Sequence, residues 1–143
     1  MIGRKLILVL ALLTPVVFAA PPAPATQTHT PAKGSEERKA IVDTLRVMVK
    51  KMSGLDVIFV VRHLKVNKNW AWVEADPQSA DNTQHYEAIT GLLQKKNGHW
   101  IYMEGPPEWA VCEEDPDCAD TNRYFRKLAK KYPSVSPDIF PAQ

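Results

Sequence analysis

Cysteine is scarce in this chain: Cys112 and Cys118 are the two among 143 residues. Five residues separate them and no second Cys/His pair stands nearby, so they fit neither a thiol-redox motif nor a four-ligand zinc site. Glycine is sparse as well, with six residues, and there is no Gly-rich phosphate loop and no G-x-S-x-G elbow. The four histidines, His29, His63, His85 and His99, make no H-x-H or H-E-x-x-H pattern. Nothing here calls for a metal or another cofactor. An excess of one charge is also missing. Setting aside Arg4 and Lys5, which belong to a leader, the 18 basic residues fall to 16, equal to the 16 acids. A neutral chain has no long-range attraction for nucleic acid.

What is present begins at residue 1. Arg4 and Lys5 precede a nearly unbroken aliphatic run over residues 6–13, and Val17-Phe18-Ala19-Ala20 offers small residues for a signal peptidase. The run is too short for a membrane span, which takes about 20 apolar residues. Residues 1–19 therefore read as a signal peptide. The protein is expected to be periplasmic or secreted, with no integral membrane segment after cleavage. No cysteine follows the run, which argues against a lipid anchor at the cleavage site. In an exported protein Cys112 and Cys118 read as a disulfide closing a small loop, worth roughly 2–3 kcal/mol. Glu113, Glu114, Asp115 and Asp117 crowd that loop, but their spacing is not that of an EF-hand, so they read as a solvated tip.

Residues 20–34 are rich in Ala, Pro and Thr and predict an extended, mobile tether with His29 in solvent. One domain, residues 35–143, follows. Ser35 is a helix N-cap candidate, with Glu36 and Glu37 in the first turn. Ile41, Leu45, Met48 and Met52 recur on one helical face over residues 35–52, and Gly54 is the stop. The period then changes to two. Residues 56–66 predict a strand, Asn67-Lys68-Asn69 a turn, and residues 70–75 a second strand with Trp70 and Trp72 on one face and Ala71 and Val73 on the other. Residues 76–83 hold Pro77 and predict a loop. A third strand is expected over residues 85–94 and a fourth over residues 99–103, joined by an Asn97-Gly98 type I′ turn. A second helix is expected from about residue 120 to residue 131, with Thr121, Phe125, Leu128 and Tyr132 as its stripe and Tyr124 beside it; Pro133 ends it. Ile139 and Phe140 are placed to dock back onto the body. The fold class is α+β: an N-terminal helix packed on a curved four-stranded antiparallel sheet, with a short C-terminal helix.

The order helix, hairpin, loop, hairpin resembles the cystatin-like, or nuclear-transport-factor-like, cone. Glu37-Arg38-Lys39-Ala40-Ile41 with Leu45-Arg46, Val57-Ile58-Phe59-Val60-Val61, His63-Leu64-Lys65-Val66, Trp70-Ala71-Trp72 and Leu92-Leu93-Gln94-Lys95-Lys96-Asn97-Gly98-His99-Trp100 are similar to segments of a family of small exported bacterial proteins. The resemblance covers about residues 35–105. It carries no catalytic residue to this chain.

Alternation along the first strand places His63 with Phe59 and Val61, at the mouth of the sheet. Cone-shaped folds can enclose a pocket, and His63, Tyr86, Glu87, Tyr102 and Glu104 are the candidates for acid–base chemistry there. A tryptophan exposed on the sheet would anchor a ligand or partner. The expected binding set is His63, Trp70, Trp72, Tyr86, Trp100 and Tyr102. Arg123, Arg126, Lys127, Lys130 and Lys131 read as the wet face of the last helix. The function expected from these features is non-enzymatic binding of a small ligand, a peptide or an envelope protein, through the sheet face or an exposed edge strand. The alternative is a pocket enzyme with acid–base or hydrolytic chemistry.

Overall fold

In the computed structural model, which describes residues 27–110 and 119–142, Ser35 caps helix α1 (Glu36–Ser53). Its backbone is extended and its hydroxyl accepts the Arg38 N–H at 3.2 Å. Gly54 ends the helix at φ 73°, a conformation that a Cβ disfavours. The buried face is Ile41, Val42, Leu45 and Val49. Met52, expected in that stripe, is 79% exposed, and Met48 lies at the margin of the core. Met48 still packs against the sheet cluster and its neighbour Val49 is buried as well, so the buried face ends there and leaves Met52 in solvent.

Four strands follow: β1 (Ile58–Asn67), β2 (Trp70–Gln78), β3 (Ile89–Lys96) and β4 (His99–Glu104). They pair antiparallel in sequence order and the sheet stays open. Asn97 and Gly98 have φ of 49° and 80°, as a type I′ turn requires. The second strand runs past its expected end and through Pro77, which pairs with Phe59. Pro77 lends its carbonyl to the Tyr86 N–H at 2.9 Å. In a strand the N–H and C=O of one residue point the same way, so the donor that proline lacks would face away from β1, and no ladder bond is lost. The third strand starts later than expected. Residues 79–88 are a loop drawn together by Asp81, whose carboxylate accepts from the Ser79 and Thr83 hydroxyls at 2.6 and 2.8 Å. Those bonds hold its pKa below the usual value.

Both faces of the sheet are covered. On one, Ile41 and Leu45 of α1 meet Leu64, Val66, Val73, Leu93 and Trp100. On the other, helix α2 (Ala119–Lys131) and the tail bring Tyr124, Leu128, Val135, Ile139 and Phe140 onto Trp70, Trp72 and Leu92. Trp72 is fully buried, and the rings of Phe125 and Phe140 meet it edge-on at 5.1 and 5.3 Å. Ile139 and Phe140 dock as expected.

Two further expectations need correction. The register of β1 shifts between Val61 and His63, so Arg62 is an extra, bulged residue. Phe59 and Val61 before the bulge, and Leu64 and Val66 after it, all face α1. His63 is therefore not on the Phe59 face; it points to the opposite side. Within the expected tether of residues 20–34, residues 27–31 are docked on the body. His29 forms an antiparallel bridge with Val66, exchanging hydrogen bonds of 2.9 and 2.8 Å, and its ring meets Glu37 at 2.8 Å. Asn67 donates to the Thr28 hydroxyl at 2.9 Å, and Pro31 is buried. The unpaired edge of β1 gives residues 27–31 a backbone to bind, which a polar composition does not reveal. The expected signal peptide, the first part of the expected tether and the expected Cys112–Cys118 disulfide lie outside the described residues. No helix among the described residues is long and apolar enough to cross a membrane.

Candidate functional site

The six residues expected to bind do not form one site. Trp70 and Trp72 sit under α2 and the tail, 4% and 0% exposed. Trp70 donates to the Ser134 hydroxyl at 3.0 Å. His63 shares that face, with its Nε2 2.8 Å from the Ile139 carbonyl. Trp100 is 6% exposed in the core below α1. Tyr102, on that same side, donates to the Thr90 carbonyl at 2.8 Å. Tyr86 stands apart in the 79–88 loop. The three tryptophans are core residues rather than exposed anchors, because each sheet face has its own cover. Trp109, which the binding set omitted, is the exposed one at 49%, with the Lys127 ammonium 5.2 Å from its ring.

The acid–base candidates are likewise split. Glu104 accepts from Lys131 and, at 2.8 Å, from the Tyr132 hydroxyl. Burial raises the Glu104 pKa, but these donors outweigh it and bring the carboxyl below its usual value. Tyr132 is raised chiefly by its bond to Glu104. Tyr102 and Tyr124 are raised by burial and then by the Glu104 charge. The carboxylate is thus held ionised and the phenols protonated, away from the near-neutral poise that general acid–base work favours. The arrangement joins the end of β4 to α2. His63 is not among its partners and bonds to Ile139 of the tail instead, while Tyr102 lies on the opposite, α1 side of the sheet. Among the described residues, no three His, Cys, Asp or Glu side chains converge to hold a metal ion.

The sheet edges remain. On β4, the Thr44 hydroxyl of α1 donates to the Trp100 carbonyl at 3.3 Å and partly covers the edge. On β1, His29 occupies the Val66 end. Over residues 58–62 no described backbone pairs with the outer side of β1. Pro77 bonds away from β1, so its partner Phe59 is in a non-hydrogen-bonded pair and turns its own N–H and C=O outward. Val61, two residues on, does the same.

Beside this open half lies a groove of about 440 Å³. Val42 of α1 and Phe59 and Val61 of β1 supply its apolar floor, Val60 lines it along the strand between them, and Lys33, Arg38, Lys39 and Arg46 form its rim. No carboxylate is among the lining residues. Arg38 donates to the Pro31 carbonyl at 3.3 Å, while Lys39 and Arg46 each pair along the helix, with Glu36 and Asp43. These helix pairs are exposed and cost little to exchange. On the opposite face of β1, Ile58 and Val60 are 40% and 48% exposed. The sequence signal for this site is the charge-free β-forming run Val57-Ile58-Phe59-Val60-Val61. It marks a strand, and nothing local says that the strand is an edge.

No protein-family model, no curated protein and no solved structure matches this chain.

Proposed function

We propose that this protein is a non-enzymatic binding module that takes an extended segment of another polypeptide onto the open half of β1. The observation that carries this reading is the outer backbone over residues 58–62, which no described residue pairs with, beside the groove that α1 and β1 share. An edge strand presents donors and acceptors at the spacing of a strand, so a second strand pairs without rearrangement of the core. The chain already uses this chemistry at the other end of the same edge, where His29 pairs with Val66. The leader over residues 1–19 supports an exported protein, whose partner would be a periplasmic, envelope or secreted polypeptide. The cystatin-like resemblance suits such a module.

Amide hydrogen exchange tests the reading. Linear peptides selected on the purified protein from a random display library are added back. They are expected to slow exchange at Phe59 and Val61, whose amides face outward in the free protein. If every selected peptide leaves those two amides unchanged and protects another surface, the edge is not the site.

A further inference from the structure

The two sides of the open strand differ in chemistry, and an added strand would inherit that difference. In a sheet, a residue opposite Phe59 or Val61 puts its side chain on the same face as theirs. That face belongs to α1, where Lys33, Arg38, Lys39 and Arg46 border the groove without a lining carboxylate. A residue opposite Val60 puts its side chain on the other face, beside the exposed Ile58 and Val60. Five open positions at about 3.3 Å each make a site roughly 17 Å long.

Resting on the function proposed above, we infer that the partner segment is an extended strand of alternating acidic and aliphatic residues. The acids face α1 and meet the cationic rim. The aliphatic residues cover Ile58 and Val60. A second copy of this chain is a poor occupant. Its own Ile58-Phe59-Val60-Val61-Arg62 holds no acid, and its rim would bring a second set of cations against the first.

The test uses three capped synthetic peptides and the full mature chain: Glu-Val-Glu-Val-Glu-Val-Glu, its Lys counterpart Lys-Val-Lys-Val-Lys-Val-Lys, and the block-ordered Glu-Glu-Glu-Glu-Val-Val-Val. Binding is followed by amide exchange and calorimetry. The alternating acidic peptide is expected to protect Phe59 and Val61 and to bind about tenfold or more tightly than either control, as two exposed charge pairs and two covered aliphatics imply. Raising the salt from low to high ionic strength should weaken it, because exposed charges are screened. Lys39→Glu with Arg46→Glu should do the same. Both side chains are exposed, and the salt series on the unaltered protein needs no variant to fold. Equal binding of the Lys peptide or of the block order overturns the alternating acidic reading. If these peptides bind with protection at Phe59 and Val61 but without charge or order dependence, the edge remains the site and this inference alone fails. Edge-to-edge dimers in sedimentation, with those amides protected in the absence of peptide, would make the occupant a second copy and overturn it as well.

Discussion

The ring of Tyr102 occupies the space that any side chain at Gly91 would need. A Cβ built on Gly91 would stand 2.4 Å from Tyr102 Cε2. Gly105 flanks the same phenol, and a Cβ there would lie 2.4 Å from both the Tyr102 hydroxyl and the Thr90 carbonyl oxygen. The two contacts differ in kind, since at Gly91 the obstacle is a side chain and at Gly105 it includes backbone. Gly91→Ala and Gly105→Ala should each destabilise by about 1–3 kcal/mol. Adding Tyr102→Ser should recover most of the Gly91→Ala loss and little of the Gly105→Ala loss. Urea unfolding of the double-mutant cycles decides this; equal recovery at both glycines would contradict the geometry.

Deleting Arg62 should unfold the protein, whereas Arg62→Ala should cost under about 1 kcal/mol. The alanine variant loses one exposed ion pair with Asp76, of 3.0 Å. The deletion removes the bulge, and either Phe59 and Val61 or Leu64 and Val66 must then turn out of the α1 core. Burial of one such side chain is worth about 1.5–3 kcal/mol. Circular dichroism of the two proteins separates the outcomes.

Trp72→Ala should cost about 3–5 kcal/mol, because the indole is fully buried among Tyr124, Phe125 and Phe140. Trp109→Ala, at an exposed position, should change stability by about 0.5 kcal/mol or less. Thermal melts check both. A small loss at Trp72 would return it to the list of surface anchors.

Glu104 sets an acid dependence. Its folded pKa lies below the usual value of 4.5, so the stability it contributes is present above the unfolded carboxyl's pKa and is lost as pH falls through the lowered folded value. Glu104→Gln should weaken the protein by about 1 kcal/mol at neutral pH, less than a buried hydrogen bond to a charged group because Lys131 is exposed and solvent screens the pair. The gap from the unaltered protein should close in acid. Urea midpoints at neutral pH and well below the carboxylate range provide the measurement, and a gap of constant size would refute the assignment.

The Tyr124 hydroxyl is buried and has no hydrogen-bond partner among the described residues. Leaving such a group unpaired costs about 1–3 kcal/mol, so Tyr124→Phe should be neutral or stabilising. A lowered melting temperature would mean that the hydroxyl is satisfied in solution.

Much of the fold was legible because its signals are local. Ser35 with Glu36 and Glu37 announces a helix start within one turn. Asn97-Gly98 announces a hairpin because both residues tolerate positive φ. Trp70 and Trp72 share a face because strands alternate. The candidate site was legible only as a possibility. The rim cations come from one element and the open backbone from another, and the pairing partner that leaves β1 at the edge is chosen by the whole sheet. His63 was misplaced for a related reason: a bulge is a property of two strands in register, and alternation along one strand carries no trace of it.

The sequence by itself determined the order of helix and hairpins, the main turns and caps, and which β2 residues share a face. Each depends on steric and hydrogen-bonding preferences within a few residues. Tertiary structure decided that both sheet faces are covered, that Pro77 lies within a strand, that residues 27–31 are docked, and that half of β1 is left unpaired among the described residues. Those outcomes turn on which distant backbone and side-chain groups exclude water from one another, and only the assembled chain brings them within reach.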